Sequence, residues 1–279
     1  MGRKVLVDLS HPFGDKSPLW PYFEDVKVER MAYMAKTGVL SQKITTVMHC
    51  TTHADSPAHV IEGTPFTHEI PLDRYYGDAV CIHVTHPDGR DLDEWDLITG
   101  EMLDRAARTV PGGVKEGDIV LVHTGWHKHW GDSQKYFILA PGLGREAGEW
   151  FVAHKVKCIG VDQPALDHPL HTAIGDHGNA GKGPIRQDWI NEYKRRTGRD
   201  HLEDFPEWEP CHNLILRAGI MGYENVGGDL EKVVGKRFKL MGFPLRWFMG
   251  DGSIVRLVAE IDEEDLNPVP DRVYRYGTT

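Results

Sequence analysis

The chain has 279 residues, of which 40% are hydrophobic and 27% charged, a composition typical of a globular protein that buries a substantial core. Its formal net charge of −10 argues against nucleic acid or an acidic membrane surface as a partner. The sequence contains no run of 18 apolar residues, which argues against a transmembrane helix.

The first elements are expected to be strands separated by a rigid loop. A strand is predicted over residues 3–9, where Asp8 breaks the apolar run that a signal peptide would need. Residues 13–23 combine prolines with aromatic rings and form an irregular loop, which either covers a pocket or packs on the core. A short strand is expected over 26–30. A longer strand rich in β-branched residues, over 39–48, would deliver the following segment to a sheet edge.

Further along, strands and helices alternate, which predicts an α/β fold with a mixed sheet and flanking helices. Strands followed by helices and further strands require that part of the sheet be parallel. The strands are predicted over 78–84, 157–162, 219–224, 238–243 and 253–261, and residues 115–126 are predicted to be a turn followed by a central strand. The helices are predicted over 98–108, with Thr99 as the N-cap, and over 144–155, 185–196, 212–218 and 229–234.

Residues 163–211 differ from the rest because they combine five prolines with many charges and a single helical patch. We expect an excursion that covers a site or forms a subunit contact. The sequence shows neither an internal repeat nor an interdomain linker, so a single domain over residues 1–279 is predicted.

The four cysteines are far apart in the sequence and form no Cys-x2-Cys motif. This pattern favours a reduced, cytoplasmic protein whose thiols are free and buried, with a redox or metal-ligand role as the less favoured alternative. The four residues are Cys50, Cys81, Cys158 and Cys211.

The most informative stretch is residues 49–59, which holds His49, His53, Asp55 and His59. All four stand at odd positions, so an extended chain would project them to one side. Pro57 argues against a helix here. Imidazole and carboxylate groups converging on one point are typical ligands of zinc or a similar divalent ion. A chance surface cluster is the alternative, since the chain has 16 histidines.

Two other groups of histidines have open interpretations. The first group, His123, His127 and His129, follows the central strand. His127 and His129 could share a face and bind a metal. The favoured alternative is that Trp126, His127 or Trp130 lines a substrate pocket, because loops after central strands line the clefts of α/β proteins. A second group lies in the excursion and would either contact substrate from a lid or belong to a solvated loop. It comprises Asp167, His168, His171, Asp176 and His177.

Residues 49–59 resemble the H-x-G-T-H-x-D-x-P-x-H signature of the cyclase family, which includes bacterial kynurenine formamidase (arylformamidase) and isatin hydrolase. The run from His212 to Glu224 resembles the family's second signature, in which a ligand His precedes a ligand Glu by twelve residues. Residues 117–126, 162–169 and 251–256 are also similar to family segments, so the resemblance spans most of the chain.

The resemblance implies a fold of the swivelling β/β/α type and a site for one or two divalent ions, zinc or manganese. The implied metal ligands are His49, His53, Asp55, His212 and Glu224, with Asp55 and Glu224 bridging both ions. It also implies that His59 is the acid/base residue. Trp20 stands where the family places an aromatic ring against the substrate, which favours a lid for its loop.

One position departs from the family pattern. The glycine of the first signature is Thr51 here, and threonine is stiffer and disfavours the positive φ that glycine permits. The departure bears on the local backbone and on whether the site binds one ion or two.

The function predicted first is a hydrolase that uses a metal-activated water to open a small cyclic or aryl amide, imide or lactone. Deacylation of N-formylkynurenine is the best-known family activity, although residues 163–211 imply a differently shaped pocket. A lyase or cyclase acting without net hydrolysis is the alternative, and a non-catalytic metal-binding protein is disfavoured because His59 is present. The expected partners are a small-molecule substrate, bound with help from Trp20 and Trp126, and further copies of the chain in a homodimer or homotetramer.

Overall fold

Strands and helices alternate through the computed structural model, which describes residues 2–131, 134–177 and 184–270. In chain order the strands are β1 (Lys4–Asp8), β2 (Lys27–Ala32), β3 (Ser41–Thr45), β4 (His53–Asp55), β5 (Tyr76–His83), β6 (Leu97–Ile98), β7 (Ile119–His123), β8 (Gly142–Leu143), β9 (Cys158–Val161), β10 (Met221–Glu224), β11 (Arg237–Met241), β12 (Gly252–Ile254) and β13 (Val258–Asp262). The helices are α1 (Met34–Thr37), α2 (Gly100–Ala107), α3 (Gln134–Ile138), α4 (Arg145–Ala153), α5 (Pro184–Thr197), α6 (His201–Asp204) and α7 (Pro210–Arg217). Among these helices, none has the length and apolar character that crossing a bilayer requires.

One mixed sheet of nine strands organises the fold, in the order β1-β13-β11-β5-β7-β9-β10-β4-β12. The central strands β5, β7, β9 and β10 are parallel, and the other pairings in this sheet are antiparallel. All five residues of β7 are buried, as expected for a parallel strand that is covered on both faces. The predicted α/β fold with a mixed, partly parallel sheet is therefore confirmed.

Helices α2, α4 and α7 cover one face of the central strands. Their buried side chains, among them Leu103, Phe151 and Ile215, share one core with the side chains of the parallel strands. Helix α2 begins where the sequence predicts, because the Thr99 hydroxyl accepts a hydrogen bond from the backbone N–H of Met102.

The opposite face closes on itself because the sheet curls. The backbone N–H of Leu9, just after β1, donates to the carbonyl of Leu257, and the N–H of Gly227, just after β10, donates to the carbonyl of Leu9. Side chains from both halves of the sheet meet in a second core, in which Tyr75 and Tyr223 are the largest. The curl brings the N-terminal segment beside the carboxyl end of β10.

An aromatic core lies beyond the ends of the parallel strands. It includes Trp95, Trp126, Tyr136, Tyr193 and Phe205, and the half-buried rings of residues 20 and 22 pack against it. Most of residues 163–177 are buried, and Tyr193 and Phe205 from the following 184–211 segment join the aromatic core, while Cys211 joins the core beneath α7. The segment predicted as an excursion is thus an integral wall of the molecule, and it reaches the cavity described below.

Two predicted strands are wrong in their extent. The strand expected over 39–48 is limited to β3. Among the described residues β3 pairs only with β2, in a separate ribbon, so it does not deliver residues 49–59 to the sheet. The strand expected over 253–261 is two strands at different places in the sheet, because the chain changes partners between them. The N–H of Val255 donates to the carbonyl of Thr52, and the N–H of Leu257 donates to Ser10 Oγ.

Candidate metal centre

Strands β4 and β10 bring three of the predicted ligands together. His53 lies directly opposite Glu224 in the antiparallel pair, so both side chains share one face, and His53 Nε2 is 3.3 Å from Glu224 Oε2. Asp55, two residues further along β4, points to the same side, with Oδ1 3.4 Å from His53 Nε2. The alternation predicted from the odd-numbered positions therefore holds for the two residues on β4.

His49 reaches the same place from an irregular segment. Its Nδ1 is 2.9 Å from Asp55 Oδ1. The close approach requires glycine at position 252 on the neighbouring β12, since a Cβ atom there would lie 2.5 Å from His49 Cε1. The convergence of His49 with β4 thus depends on a glycine about two hundred positions away in the chain.

His212 completes the group from the first turn of α7. Its Nε2 is 3.1 Å from Glu224 Oε1 and 3.6 Å from Asp55 Oδ2. The structure therefore brings together the five residues predicted as metal ligands, although they come from an irregular segment, two strands and a helix. Their placement is a geometric finding, and their role as ligands remains a prediction.

Each imidazole turns one nitrogen toward the centre and holds the other in a hydrogen bond, an arrangement that fixes both ring orientation and tautomer. His53 Nδ1 is 2.8 Å from the carbonyl oxygen of Thr51. His212 Nδ1 is 2.7 Å from Asp167 Oδ2, and Asp167 also accepts the backbone N–H groups of Cys211 and His212. The buried Asp167 thereby anchors the start of α7 as well as the imidazole.

Asp251 is the corresponding partner of His49, with Oδ2 2.9 Å from His49 Nε2. Neither Asp251 nor Asp167 was predicted as an orienting residue, because each lies outside the two histidine signatures. Both stand in segments similar to the family, and that similarity was the one available signal.

The donor set fits a divalent cation. His53 Nε2 and both oxygens of Asp55 are buried and, among the described residues, make no hydrogen bond of good geometry, although other ligand atoms lie 2.9 to 3.6 Å away. Leaving such atoms unpaired costs about 1–3 kcal/mol each, more for charged groups, and a bound cation removes this cost. The separations of 3.1 to 3.6 Å match those between ligands about 2.0–2.2 Å from a shared ion.

The carboxylates stay charged although they are buried. Burial and the neighbouring Asp55 both oppose ionisation of Glu224, but close contacts with His212 and His53 outweigh them and lower its pKa to about 2. Burial also opposes protonation of His49, yet the hydrogen bond to Asp251 and the nearby carboxylate of Asp55 raise its pKa to about 10. At neutral pH a proton therefore competes with a metal ion for this imidazole.

His59, the predicted acid/base, lies on a 3-10 turn (Pro57–His59) beside the centre. Its ring stacks on His49 with centroids 3.9 Å apart, and its Nδ1 is 3.7 Å from Asp251 Oδ2. Burial, followed by the positive charge of His49, lowers the pKa of His59. The imidazole is therefore neutral at physiological pH and able to accept a proton.

A cavity of about 210 Å³ opens above these side chains. One wall is apolar and comes from the 13–23 loop, the aromatic core and the 163–177 segment. This wall comprises Pro18, Leu19, Trp20, Tyr22, Phe23, Phe137, Pro164, Ala165, Thr172 and Ala173. Trp20 stands where its predicted contact with substrate requires, and the Pro-rich loop both packs on the core and covers the cavity.

Trp126 does not line this cavity. Its ring is buried in the aromatic core, and its Nε1 donates to the carbonyl of Tyr136 at 3.0 Å. Trp126 is thus absent from the lining of this cavity, and its predicted contact with substrate stays a prediction.

In the excursion, Asp167, His168 and His171 are buried, so the solvated-loop interpretation is wrong for them. His168 Nε2 is 3.0 Å from the carbonyl of Trp95, a contact inside the protein. His127 and His129 do not pair as the alternative metal site would require, because His127 turns to Asp162 while His129 lies against Trp126.

Glu209 is a cavity residue that no sequence pattern indicated. It lines the floor beside His212, it has the unusual φ of 42°, and its Oε2 is buried without a hydrogen-bond partner among the described residues. Burial outweighs the attraction of His212 and, with Asp167, raises the pKa of Glu209 to about 7. This carboxyl group is therefore partly protonated at neutral pH.

Comparisons with known proteins identify the family and the fold. The family model described as "Putative cyclase" matches residues 7–168. A kynurenine formamidase of Bordetella avium (strain 197N) is 28% identical over 258 residues, which cover 91% of this chain and 97% of the relative.

Solved structures give the same architecture. An isatin hydrolase bound to the product analogue thioisatinate has a TM-score of 0.72 at 19% identity, with 93% of each chain covered. Isatin hydrolase A from Ralstonia solanacearum has a TM-score of 0.71 at 20% identity, with 92% of each chain covered. The chain thus belongs to the cyclase family, as the two histidine signatures predict, and it has the isatin hydrolase fold.

Proposed function

We propose that the protein is a metal-dependent hydrolase that opens a small cyclic or aryl amide, imide or lactone. One observation carries the proposal: Asp55 and Glu224 each turn one oxygen toward His53 and the other toward His212. Carboxylates placed in this way are suited to bridge two ions, the arrangement that many hydrolases use. The names of the relatives, kynurenine formamidase and isatin hydrolase, support the same class of reaction.

Zinc or manganese fits the nitrogen and oxygen donors. His49 and His53 would hold one ion and His212 the second, with both carboxylates shared between them. Such ions lower the pKa of a coordinated water to about 7 and polarise a substrate carbonyl. The remaining chemistry belongs to side chains of the protein.

His59 would move the proton. Its neutral imidazole accepts a proton from the water that adds to the carbonyl carbon, and it returns this proton to the leaving nitrogen or oxygen as the bond from the acyl carbon breaks. The lowered pKa of His59 favours the accepting form before the reaction. Asp251, 3.7 Å from its Nδ1, would orient the ring and stabilise its protonated form.

The substrate would be a small molecule with a flat ring. The volume of about 210 Å³ excludes large ligands, and the rings of Trp20, Phe23 and Phe137 provide apolar surface for an aromatic group. An aryl amide or a fused cyclic amide meets both conditions.

Metal analysis of the protein purified without added metal tests the centre. We expect close to two equivalents of zinc or manganese, with loss in both His53→Ala and Glu224→Ala. About one equivalent would indicate a single-ion site, which the backbone at Thr51 could cause. Protein that neither contains metal nor takes it up on soaking would overturn the proposal.

Product mass tests the reaction. A panel of aryl amides, imides and lactones should give products one water heavier than the substrate, with turnover reduced at least about 100-fold in His59→Ala. A product of equal or lower mass would instead establish the lyase or cyclase alternative. Bound metal without turnover of any panel member would favour a non-catalytic protein.

For assembly, we propose a homodimer or homotetramer with no nucleic-acid or membrane partner. Support comes from the ribbon of β2 and β3, which carries exposed apolar side chains although it pairs with no other strand in the described chain. A two-stranded ribbon is marginally stable alone, so a second subunit would provide its packing surface.

A further inference from the structure

A second group of ligand-type side chains lies at the carboxyl ends of β5, β7 and β9. His83 ends β5, His123 ends β7, and Asp162 directly follows β9. Parallel strands end at one edge of the sheet, so their last side chains lie close together. Within the described chain, His123, His127 and Asp162 place nitrogen and oxygen atoms within 4.8 Å of one another.

His127 is the central residue of this group. Its side chain is fully buried, and its Nδ1 lies 3.0 Å from Asp162 Oδ2. Its other nitrogen, Nε2, is buried and has no hydrogen-bond partner among the described residues. That nitrogen lies 3.8 Å from Glu231 Oε1. A fully buried, unpaired imidazole nitrogen facing a carboxylate is unfavourable unless a ligand joins them.

Asp162 is an orienting residue here and not a ligand, because its oxygens are already used. Oδ1 accepts hydrogen bonds from the N–H and the hydroxyl of Thr124, and Oδ2 accepts from the N–H of Gly125 and pairs with His127. A carboxylate that holds one nitrogen of a histidine fixes the other as the metal-binding atom. The bare nitrogen is then His127 Nε2.

His123 provides a second nitrogen at the same place. Its Nε2 is 3.2 Å from Glu231 Oε1, while its Nδ1 is 2.9 Å from His83 Nδ1. A proton on His123 Nδ1, donated to His83, leaves His123 Nε2 bare. His83 then carries its own proton on Nε2, which faces Asp91 Oδ1 at 3.5 Å. This set of tautomers prepares His123 as a ligand.

We propose that His123, His127 and Glu231 bind a divalent transition metal such as zinc, separate from the centre at residues 49–59. The oxygen-to-nitrogen separations of 3.2 and 3.8 Å bracket the value of about 3.4 Å that tetrahedral geometry gives for ligands near 2.1 Å from zinc. A cleft of about 400 Å³ beside these residues provides access for the ion. The proposal does not depend on the hydrolase activity.

Lys128 is the competing cation. Its Nζ is 2.6 Å from Glu231 Oε1, and its side chain is 56% exposed, so it can swing into solvent when an ion arrives. The rival interpretation is a network in which Lys128 alone neutralises Glu231 and no metal binds. The two interpretations differ in what removal of the Lys128 ammonium group does: it strengthens metal binding if the site exists, and no metal binds in either case if it does not.

The test uses the full-length chain carrying His49→Ala, His53→Ala and Glu224→Ala, which removes ligands from both groups of the first centre, and titrates it with Co²⁺ alone. We expect about one remaining equivalent of bound cobalt, with the visible absorption of cobalt bound to nitrogen and oxygen.

Variants of the proposed ligands test the assignment. Glu231→Gln, at the rim of the cluster, and His127→Ala should each weaken cobalt binding at least about tenfold. His129→Ala, two residues from His127 and in the same cleft, is the matched control and should bind normally. Lys128→Met should tighten binding about tenfold, because the competing charge is gone.

Two results would overturn the proposal. One is the absence of cobalt binding in this background even with Lys128→Met. The other is cobalt binding that Glu231→Gln and His127→Ala leave unchanged while circular dichroism shows native structure. The difference in metal content between the wild-type protein and the variant with a disabled first centre reports on the first centre alone. A failure of the proposed hydrolase site would therefore be distinguished from a failure of this second site.

Discussion

Thr51 is the residue at which this chain departs from its family signature, and it adopts the left-handed backbone conformation, with φ of 53°. Glycine reaches this region without strain, whereas a β-branched residue there costs on the order of 1–3 kcal/mol. The carbonyl of Thr51 holds His53 Nδ1 at 2.8 Å. The strained residue therefore orients a predicted metal ligand.

Replacing Thr51 with glycine should stabilise the protein. The relief of strain exceeds the extra backbone entropy of glycine, about 0.5–1 kcal/mol, and leaves a net gain of about 1 kcal/mol in the free energy of unfolding. Urea denaturation measures this gain. Thr51→Val keeps the β-branch and removes only a hydroxyl without a hydrogen-bond partner in the described chain. Equal stabilisation by both variants would show that the hydroxyl, and not the backbone, is responsible.

Asp167 should control metal affinity through His212. Asp167→Asn weakens the hydrogen bond to His212 Nδ1 and should lower affinity about 10–100-fold, the usual effect of losing an orienting carboxylate. Competition with a chromogenic chelator measures this loss. Asp176→Asn, an exposed change in the same segment, is the control. Equal affinities of the Asp167 variant and wild type would refute the orienting role.

Glu209 should make the free energy of unfolding decrease as the pH rises. Its folded-state pKa of about 7 exceeds the ordinary value of 4.5, so its contribution to stability is complete below pH 4.5 and is lost as pH rises through 7. In chelator-treated protein, the free energy of unfolding should fall by on the order of 1–3 kcal/mol between about pH 5 and about pH 8. Glu209→Gln should flatten this slope, measured by urea denaturation.

The control for this experiment is Glu207→Gln. The pKa of Glu207 is lowered by its hydrogen bond to Arg145, so that side chain stays ionised throughout the same pH interval. A slope that persists in the Glu209 variant, or that disappears in the Glu207 variant, would assign the pH dependence to another group.

At the scale of elements, the Pro-rich loop over residues 13–23 forms part of the cavity wall. Trp20 lines the cavity and meets Phe137 edge-on at a centroid distance of 6.5 Å. Trp20→Ala should raise KM for an aryl substrate about tenfold and change kcat less, because the role predicted for the ring is substrate binding and not proton transfer. Phe13→Ala alters the same loop outside the cavity and should leave KM unchanged. Steady-state kinetics distinguish this result from a loss of kcat.

The sequence predicted the order of elements well where local pattern decides it. The buried run of β7 and the Thr99 cap of α2 are local signals, and both elements form where expected. The extents of the strands predicted over 39–48 and 253–261 are wrong, because a run of residues suited to a strand does not specify which other strand it pairs with. A curled sheet assigns them partners from distant parts of the chain.

The same limit applies to the centre. His49, His53 and Asp55 lie close together in the chain, so spacing alone indicated a site, whereas His212 and Glu224 needed the family resemblance. Asp251 and Glu209 reach the centre through tertiary packing, and an isolated acidic residue carries no pattern that would select it.

At the scale of the whole molecule, the ribbon of β2 and β3 should mediate subunit assembly. Met31 is 63% exposed and Ile44 is 50% exposed. A monomer rarely leaves apolar surface of this kind in water. The double variant Met31→Lys with Ile44→Lys should shift a dimer or tetramer to smaller species in light scattering. Leu202→Lys, an exposed site far along the chain, is the control, and an unchanged mass of the ribbon variant would exclude this interface.

The four cysteines are unpaired and buried, and burial raises the pKa of Cys50 to about 11. Thiols of this kind react poorly with alkylating reagents, because reaction needs an accessible thiolate. A single cysteine introduced at Phe23, on the rim of the loop, would therefore be the preferred attachment point for a fluorophore in the otherwise native chain. Movement of the loop during turnover could then be followed optically without first removing any native cysteine.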